Sequence, residues 1–347
     1  MDIDIRFLQD IILKKSKKDS NKTENDSKKR KILCESNFFI QNNIYISNKI
    51  RFIKDYYKYF LIIKNDNNIK FGEIDKFIKE NIDYNKKYVL IDDYNIIYFK
   101  DFLFNLPNKK LFFFHLIDSY YYLLKSLKLL NDNNIVFFNL SNKNIVFNKS
   151  FIPYIKNFDF SFVKTDLTED FLSKMINSTN NYALKPIEVH VLFYIFNTDI
   201  ESLSYSTIEE ISNNFVNNVT IFTLFSISYK QKYKENCISY LKKYINKTKN
   251  EIVNDILSFN YTWDNYSLSV IFLYIIGNCI HSFSLKDTIL NKLLLLLNKY
   301  ISPDPSKREN IDYCIKKFEY ILSNCDNWNF IENIDEMSFI EYIHKIS

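Results

Sequence analysis

The stretch "NNIVFFNLSNKNIVF", residues 133–147, sets a mostly polar loop, Asn139 to Asn144, between two short apolar runs. Upstream, "LFFFHLIDSYYYLLKSLKLL" (111–130) repeats apolar residues at 113, 116, 117, 120, 124 and 127. That spacing predicts a long helix running straight into the loop. Downstream, "NIVF" (144–147) and "FIPYIKNF" (151–158) read as strands joined through "NKS", a small hairpin. Toward the N-terminus, residues 37–53 space Phe39, Ile40, Ile44, Ile50 and Ile53 on a helical face, while 59–65 and 87–93 are apolar runs of strand length. The remainder is helical in character, ending with 288–301 and 311–322, and no longer period repeats.

A chain of 347 residues that is 47% hydrophobic and 17% aromatic can bury a substantial core, as two ordinary domains or one large two-lobed one. Cys34, Cys237, Cys279, Cys314 and Cys325 lie far apart without C-x-x-C spacing, and four scattered histidines form no zinc pattern. A reducing compartment is expected. No apolar run is long enough to span a bilayer, and "MDIDIRFLQDIILKK" has acids where a signal peptide needs positive charge. These features predict a soluble intracellular protein with no membrane role. Residues 14–31 carry nine basic and three acidic side chains, a local charge of +6 against +5 for the whole chain, so the body sums to −1. Such a block reads as a solvated linker, with nuclear import or nucleic-acid binding as the functional alternative. A near-neutral body is not what a nucleic-acid-binding domain requires.

The loop lines up with the pattern H-R-D-L-K-x-x-N as Phe137, Phe138, Asn139, Leu140, Ser141, Asn142, Lys143, Asn144. Further on, "DFS" (Asp159, Phe160, Ser161) stands where D-F-G belongs, and "LKPIEVHVLFYI" (184–195) keeps the Pro and Glu of A-P-E. "WDNYSLSVIFLYII" (263–276) looks like the D-x-W-S-L-G helix, and "SPDPSKREN" (302–310) like the D-P-x-x-R segment. Taken in order from about residue 87 to 322, these motifs resemble the protein kinase-like family, and specifically the divergent serine/threonine kinase-like proteins of large DNA viruses. The resemblance implies an α+β, two-lobed protein-kinase-like fold with a reduced β-rich N-lobe and an enlarged, mainly helical C-lobe. The organisation it implies is an N-terminal segment 1–31, an N-lobe 32–93 and a C-lobe 94–347. Glu188 and Asp264 stand 76 positions apart, far more than the family needs. The excess, about 197–258, predicts a helical insertion, either a structural elaboration or a partner-binding element.

The resemblance also implies roles. Ile91, Asp92 and Asp93 fall at the nucleotide-facing hinge; Asn144 and Asp159 fall at the magnesium-ligand positions. Glu188 and Arg308 would form a buried ion pair. Asp264 would cap helix 265–276 and, in the family, hold the catalytic-loop backbone. At the position of the catalytic Asp, however, stands Asn139, whose amide cannot accept the substrate proton. Ser141 replaces the loop Lys. Gly72 and Gly277 are the only glycines, 205 positions apart, so no Gly-rich lid exists. The N-lobe Lys falls within or near 28–31, and helix 37–53 contains no Glu, Glu35 being nearest. The expectation is a pseudokinase acting through protein contacts, with ATP and magnesium bound without turnover, in a host cytoplasm or a virion. Two alternatives stand beside it. A divergent active kinase would need a substitute base such as Asp132, and a virion scaffold would take no ligand.

Overall fold

The computed structural model describes residues 10–11, 30–63, 88–93, 96–179, 182–198, 200, 202–283, 285–324 and 328–346, with the backbone alone at 10–11, 30–35 and 88–93. Apart from Arg30 and Lys31, the basic stretch 14–31 lies outside these residues. The chain folds as an α+β protein, mostly helical with small sheets.

Strands β1 (Asp10–Ile11) and β2 (Arg30–Glu35) pair antiparallel and lead into helix α1 (Phe38–Ile50). Asn37 starts α1: its side chain accepts from the Ile40 N–H at 2.9 Å, satisfying one of the donors that a helix start leaves open. The helix stops short of residue 53, and turns lead into β3 (Phe60–Leu61), shorter than the predicted run 59–65. Strand β4 (Tyr88–Asp93) pairs with β2 residue for residue, from Arg30 opposite Asp93 to Glu35 opposite Tyr88.

After β5 (Ile97–Tyr98) and α2 (Phe99–Phe104), helix α3 (Lys109–Asp132) starts at Asn108, which accepts from the Leu111 N–H at 2.9 Å. All six apolar positions that define its period are buried. It delivers the chain to β6 (Ile135–Val136), the loop, β7 (Ile145–Phe147), β8 (Pro153–Lys156) and β9 (Phe162–Val163). The β7–β8 hairpin forms where the sequence predicts it. Asn148 closes its turn by accepting from the N–H groups of Ser150 (2.9 Å) and Ile152 (3.0 Å). β3 joins this hairpin, parallel to β8, rather than the β2–β4 ladder, because buried Phe60 packs edge-on against Phe158 at 5.9 Å.

The rest is helical: α4 (Glu169–Ser178), α5 (Ile187–Asn197), α6 (Tyr205–Asn218), α7 (Ile227–Leu241), α8 (Lys249–Ser258), α9 (Trp263–Ser282), α10 (Ile289–Tyr300), α11 (Ile311–Ser323) and α12 (Glu336–Ile346). Helix α9 is apolar around nearly its whole circumference, so it can only be stable at the centre of the core. There it packs against α3, α10 and α12. Ser204, Ser226 and Thr248 cap α6, α7 and α8, so the excess segment is helical as its texture predicts. No helix among the described residues is long and apolar enough to cross a membrane.

Candidate functional site

The loop after β6 is shaped by its backbone first. Phe138 takes a left-handed conformation with φ of 64°, which costs a bulky residue free energy and must be held from outside. Asp264 holds it. One carboxylate oxygen accepts from the Phe137 N–H at 2.7 Å and the other from the Phe138 N–H at 2.8 Å. This corrects one half of the expectation for Asp264: the helix begins at Trp263, two residues before 265, so Asp264 lies in its first turn and does not cap it, while its carboxylate holds the loop backbone as the resemblance implied. The third tether is Ser161, whose hydroxyl donates to the Phe137 carbonyl at 3.1 Å.

The side chains of the loop are then placed. Asn139 accepts a long hydrogen bond, 3.5 Å, from the Thr179 hydroxyl at the end of α4. Ser141 donates to the Asn144 side-chain oxygen at 2.6 Å, and the Asn144 amide donates to the Lys156 carbonyl at 3.5 Å. Asp159 accepts from the Phe160 N–H at 3.1 Å, and burial pushes its carboxyl up to about 6. No lysine or arginine among the described residues forms an ion pair with it. Of the two implied magnesium ligands, Asp159 is the one that offers a carboxylate, the group that would hold a divalent cation. Asn144 fits less well: its oxygen, the atom that would face a metal, is already engaged by Ser141. No cluster of three or more His, Cys, Asp or Glu suited to a metal occurs among the described residues. Ile91, Asp92 and Asp93 end strand β4 in the ladder with Ile32, Lys31 and Arg30. Their side chains lie outside the described residues.

Glu188 and Arg308, 120 positions apart, meet as a two-pronged pair at 2.5 and 2.9 Å, both fully enclosed. Arg308 also donates to Thr262 and to the Ser302 carbonyl, so its donors are nearly all used.

Three residues that the sequence reading gave no role, Asn42, Thr179 and Lys185, belong to this region. The Asn42 amide of α1 donates to the carbonyls of Asp159 and Ser161, both at 2.8 Å, and of Phe158 at 3.4 Å. Next to it, Phe39 stacks on Phe160 at 4.8 Å. Thr179 reaches Asn139. Lys185 is fully buried with its ammonium unpartnered, 4.4 Å from the Phe138 ring centre. Burial lowers Lys185 to about 7, against the pull of Asp264. Asp264 itself is raised to about 6 by burial, opposed by the Phe137 and Phe138 N–H groups, Lys185 and Lys164. Lys185 carried a signal, since it directly precedes the Pro186-x-Glu188 motif. Asn42 carried none in a chain so rich in asparagine.

No family model matches this chain, and no curated protein matches it.

Proposed function

We propose that this chain is a two-lobed, kinase-like protein that keeps the frame of a phosphoryl-transfer loop without its chemistry, and that it acts by binding other proteins. The observation that carries this reading is the Asp264 clamp. It fixes the backbone of Phe137 and Phe138 just ahead of Asn139, the residue that the kinase-like alignment puts at the general-base position. An amide there can orient a hydroxyl group but cannot remove its proton. Ser141, where a cation would steady the transferring group, instead ties down Asn144. Asp159 remains able to hold a divalent cation, and with it the phosphates of a nucleotide. Binding and turnover make separable demands, because rate depends on groups that act in the transition state alone.

Two measurements on the purified full chain test the reading. Transfer of labelled phosphate from ATP to protein is expected to be absent, and Asn139→Asp alone should not restore it. Each missing stabilising group typically costs about 10²–10³ in rate, and at least two are missing. Robust transfer by the wild type, lost in Asp159→Ala, would show an active kinase. Thermal stabilisation by ATP with magnesium is expected and should disappear in Asp159→Ala. Its absence in the wild type would favour a scaffold that takes no ligand.

A further inference from the structure

The turn between α1 and β3, residues 51–59, is anchored from below. Ile50 and Ile53 are buried in the core, and the N–H groups of Phe52, Ile53 and Tyr56 donate to the carbonyls of Lys49, Ile50 and Ile53 at 3.2, 2.9 and 3.3 Å. Asp55 takes the left-handed conformation, φ 60°, that a short acidic side chain tolerates. Phe52 stands between the two buried isoleucines in sequence, yet it is 90% exposed, more than any other large apolar side chain among the described residues. Tyr57, in the same turn, is 61% exposed.

Cations flank both rings. Lys49, Arg51, Lys54 and Lys58 face a single acid, Asp55, across residues 49–58, in a body that sums to −1. Asp55 lies 3.3 Å from the Lys58 ammonium and also accepts from the Tyr57 hydroxyl at 3.3 Å. Arg51 gives one donor to the Ile63 carbonyl at 2.9 Å, Lys49 lies over the Tyr45 ring, and Lys54 makes no hydrogen bond or ion pair with any described residue. Three positive charges without an acidic partner among the described residues therefore stand three and one positions before Phe52 and two after it, all exposed.

We propose that this turn docks the protein on a membrane surface rich in anionic lipid, with Phe52 entering the head-group layer while Lys49, Arg51 and Lys54 rest on the lipid charges. Phe52 has no polar atom, so its ring gains by leaving water, and the cations beside it call for negative charge within a side chain's length. A bilayer containing acidic lipid supplies both in one plane. Tyr57, with an apolar ring and a hydroxyl, suits the same interfacial level. A single-stranded nucleic acid also combines rings with phosphates, but it stacks its bases on aromatic rings set along a basic groove. A ring that is 90% exposed projects from its surroundings and offers no such groove. The expectation of no membrane role rested on the absence of a spanning run, and attachment to the surface needs none. The proposal stands apart from the phosphoryl-transfer reading, since none of these side chains belongs to the loop.

The test floats the purified full chain with vesicles of phosphatidylcholine, alone or mixed with phosphatidylserine. Binding is expected to the mixed vesicles and should weaken as salt rises. The basic stretch 14–31 would also be drawn to acidic vesicles, so the deciding variants leave it intact. Phe52→Ser, which changes no charge, should lower the partition coefficient about tenfold. Lys54→Gln should lower it about fivefold. Phe52→Trp should bind at least as well as the wild type, and lipid spin-labelled near the head group should quench its added indole above the background of Trp263 and Trp328. Both substituted positions are exposed, and circular dichroism checks that each variant folds. No binding to mixed vesicles, equal binding by Phe52→Ser and the wild type, or an added indole that the labelled lipid does not quench overturns the proposal. So does tighter, Phe52-dependent binding of an oligothymidylate, which would assign the turn to single-stranded nucleic acid.

Discussion

Lys185 and Asp264 are both enclosed around the Phe138 ring, and each is displaced by burial in the direction that disfavours its charge. The two displacements affect stability in opposite ways. Asp264 is raised from 3.8 to about 6, so the folded state holds the proton more tightly. Its contribution is fully present below 3.8 and is lost as the pH rises through about 6. Lys185 is lowered from 10.5 to about 7, so the unfolded state holds the proton more tightly. Its contribution is present above 10.5 and is lost as the pH falls through about 7. We expect the wild type to gain stability relative to Lys185→Met as pH rises from 7 toward 10. Urea midpoints of the two proteins across that range check it, and parallel curves would refute it. The ion pair gives a second expectation at this scale. Glu188→Ala or Arg308→Ala should each cost roughly 3–5 kcal/mol, because the surviving charge is buried without a partner. The joint replacement Glu188→Met with Arg308→Leu should cost less than either alanine variant, and chemical denaturation of the three measures the difference.

Helix α1 is hydrogen-bonded to the "DFS" turn through one side chain, beside which Phe39 stacks on Phe160. The Asn42 amide bridges the carbonyls of Phe158, Asp159 and Ser161, so the helix and the "DFS" turn are held as a unit. Asn42→Leu keeps the volume but leaves those carbonyls without their donor. It should destabilise the protein by about 1–3 kcal/mol. Amide exchange should accelerate in α1 and around residues 158–161 more than in α9, and uniform acceleration would show that Asn42 does not act locally. Helix α7 has an equally specific task. Its Tyr233, Cys237 and Tyr240 stand close enough to Arg308 or Glu188 for their charges to be felt, and the Tyr233 hydroxyl donates to the Ile301 carbonyl. The helical excess therefore covers the ion pair as part of the core. That favours a structural elaboration over a detachable binding element, although Ile221 also lines a cavity shared with α2 and α9.

At the scale of the molecule, the consequence is that α6 to α8 cannot be removed. Joining residue 199 to 259 by a short linker would expose the Glu188–Arg308 pair to water and strip the apolar faces of α5 and α9. Such a protein should fail to unfold cooperatively on heating, whereas a detachable insertion would leave a sharp transition. The same wrapping accounts for Gly277 in α9. A Cβ there would meet the Leu224 Cδ1 at 2.8 Å, so α9 approaches the 220–224 turn too closely for a larger residue unless the end of Leu224 turns aside.

Much of this was legible along the chain, because helical and strand periods are local. The α3 period, the β7–β8 hairpin and the apolar length of α9 follow from the spacing of side chains within each segment, and so does the polar loop between β6 and β7. The order of the motifs, and the resemblance it carries, also put Glu188, Asp264 and Arg308 on view. What spacing could not reveal is the set of contacts between segments. The resemblance implied that Asp264 holds the loop backbone as well as capping its own helix; the fold turns its carboxylate to Phe137 and Phe138, 127 and 126 positions away. It also sends β3 to β8, Asn42 to three carbonyls and Lys185 beneath Phe138. These are decided by tertiary structure, because a buried charge or amide takes the partner that the packed core leaves within reach, and distance along the chain has no part in that choice.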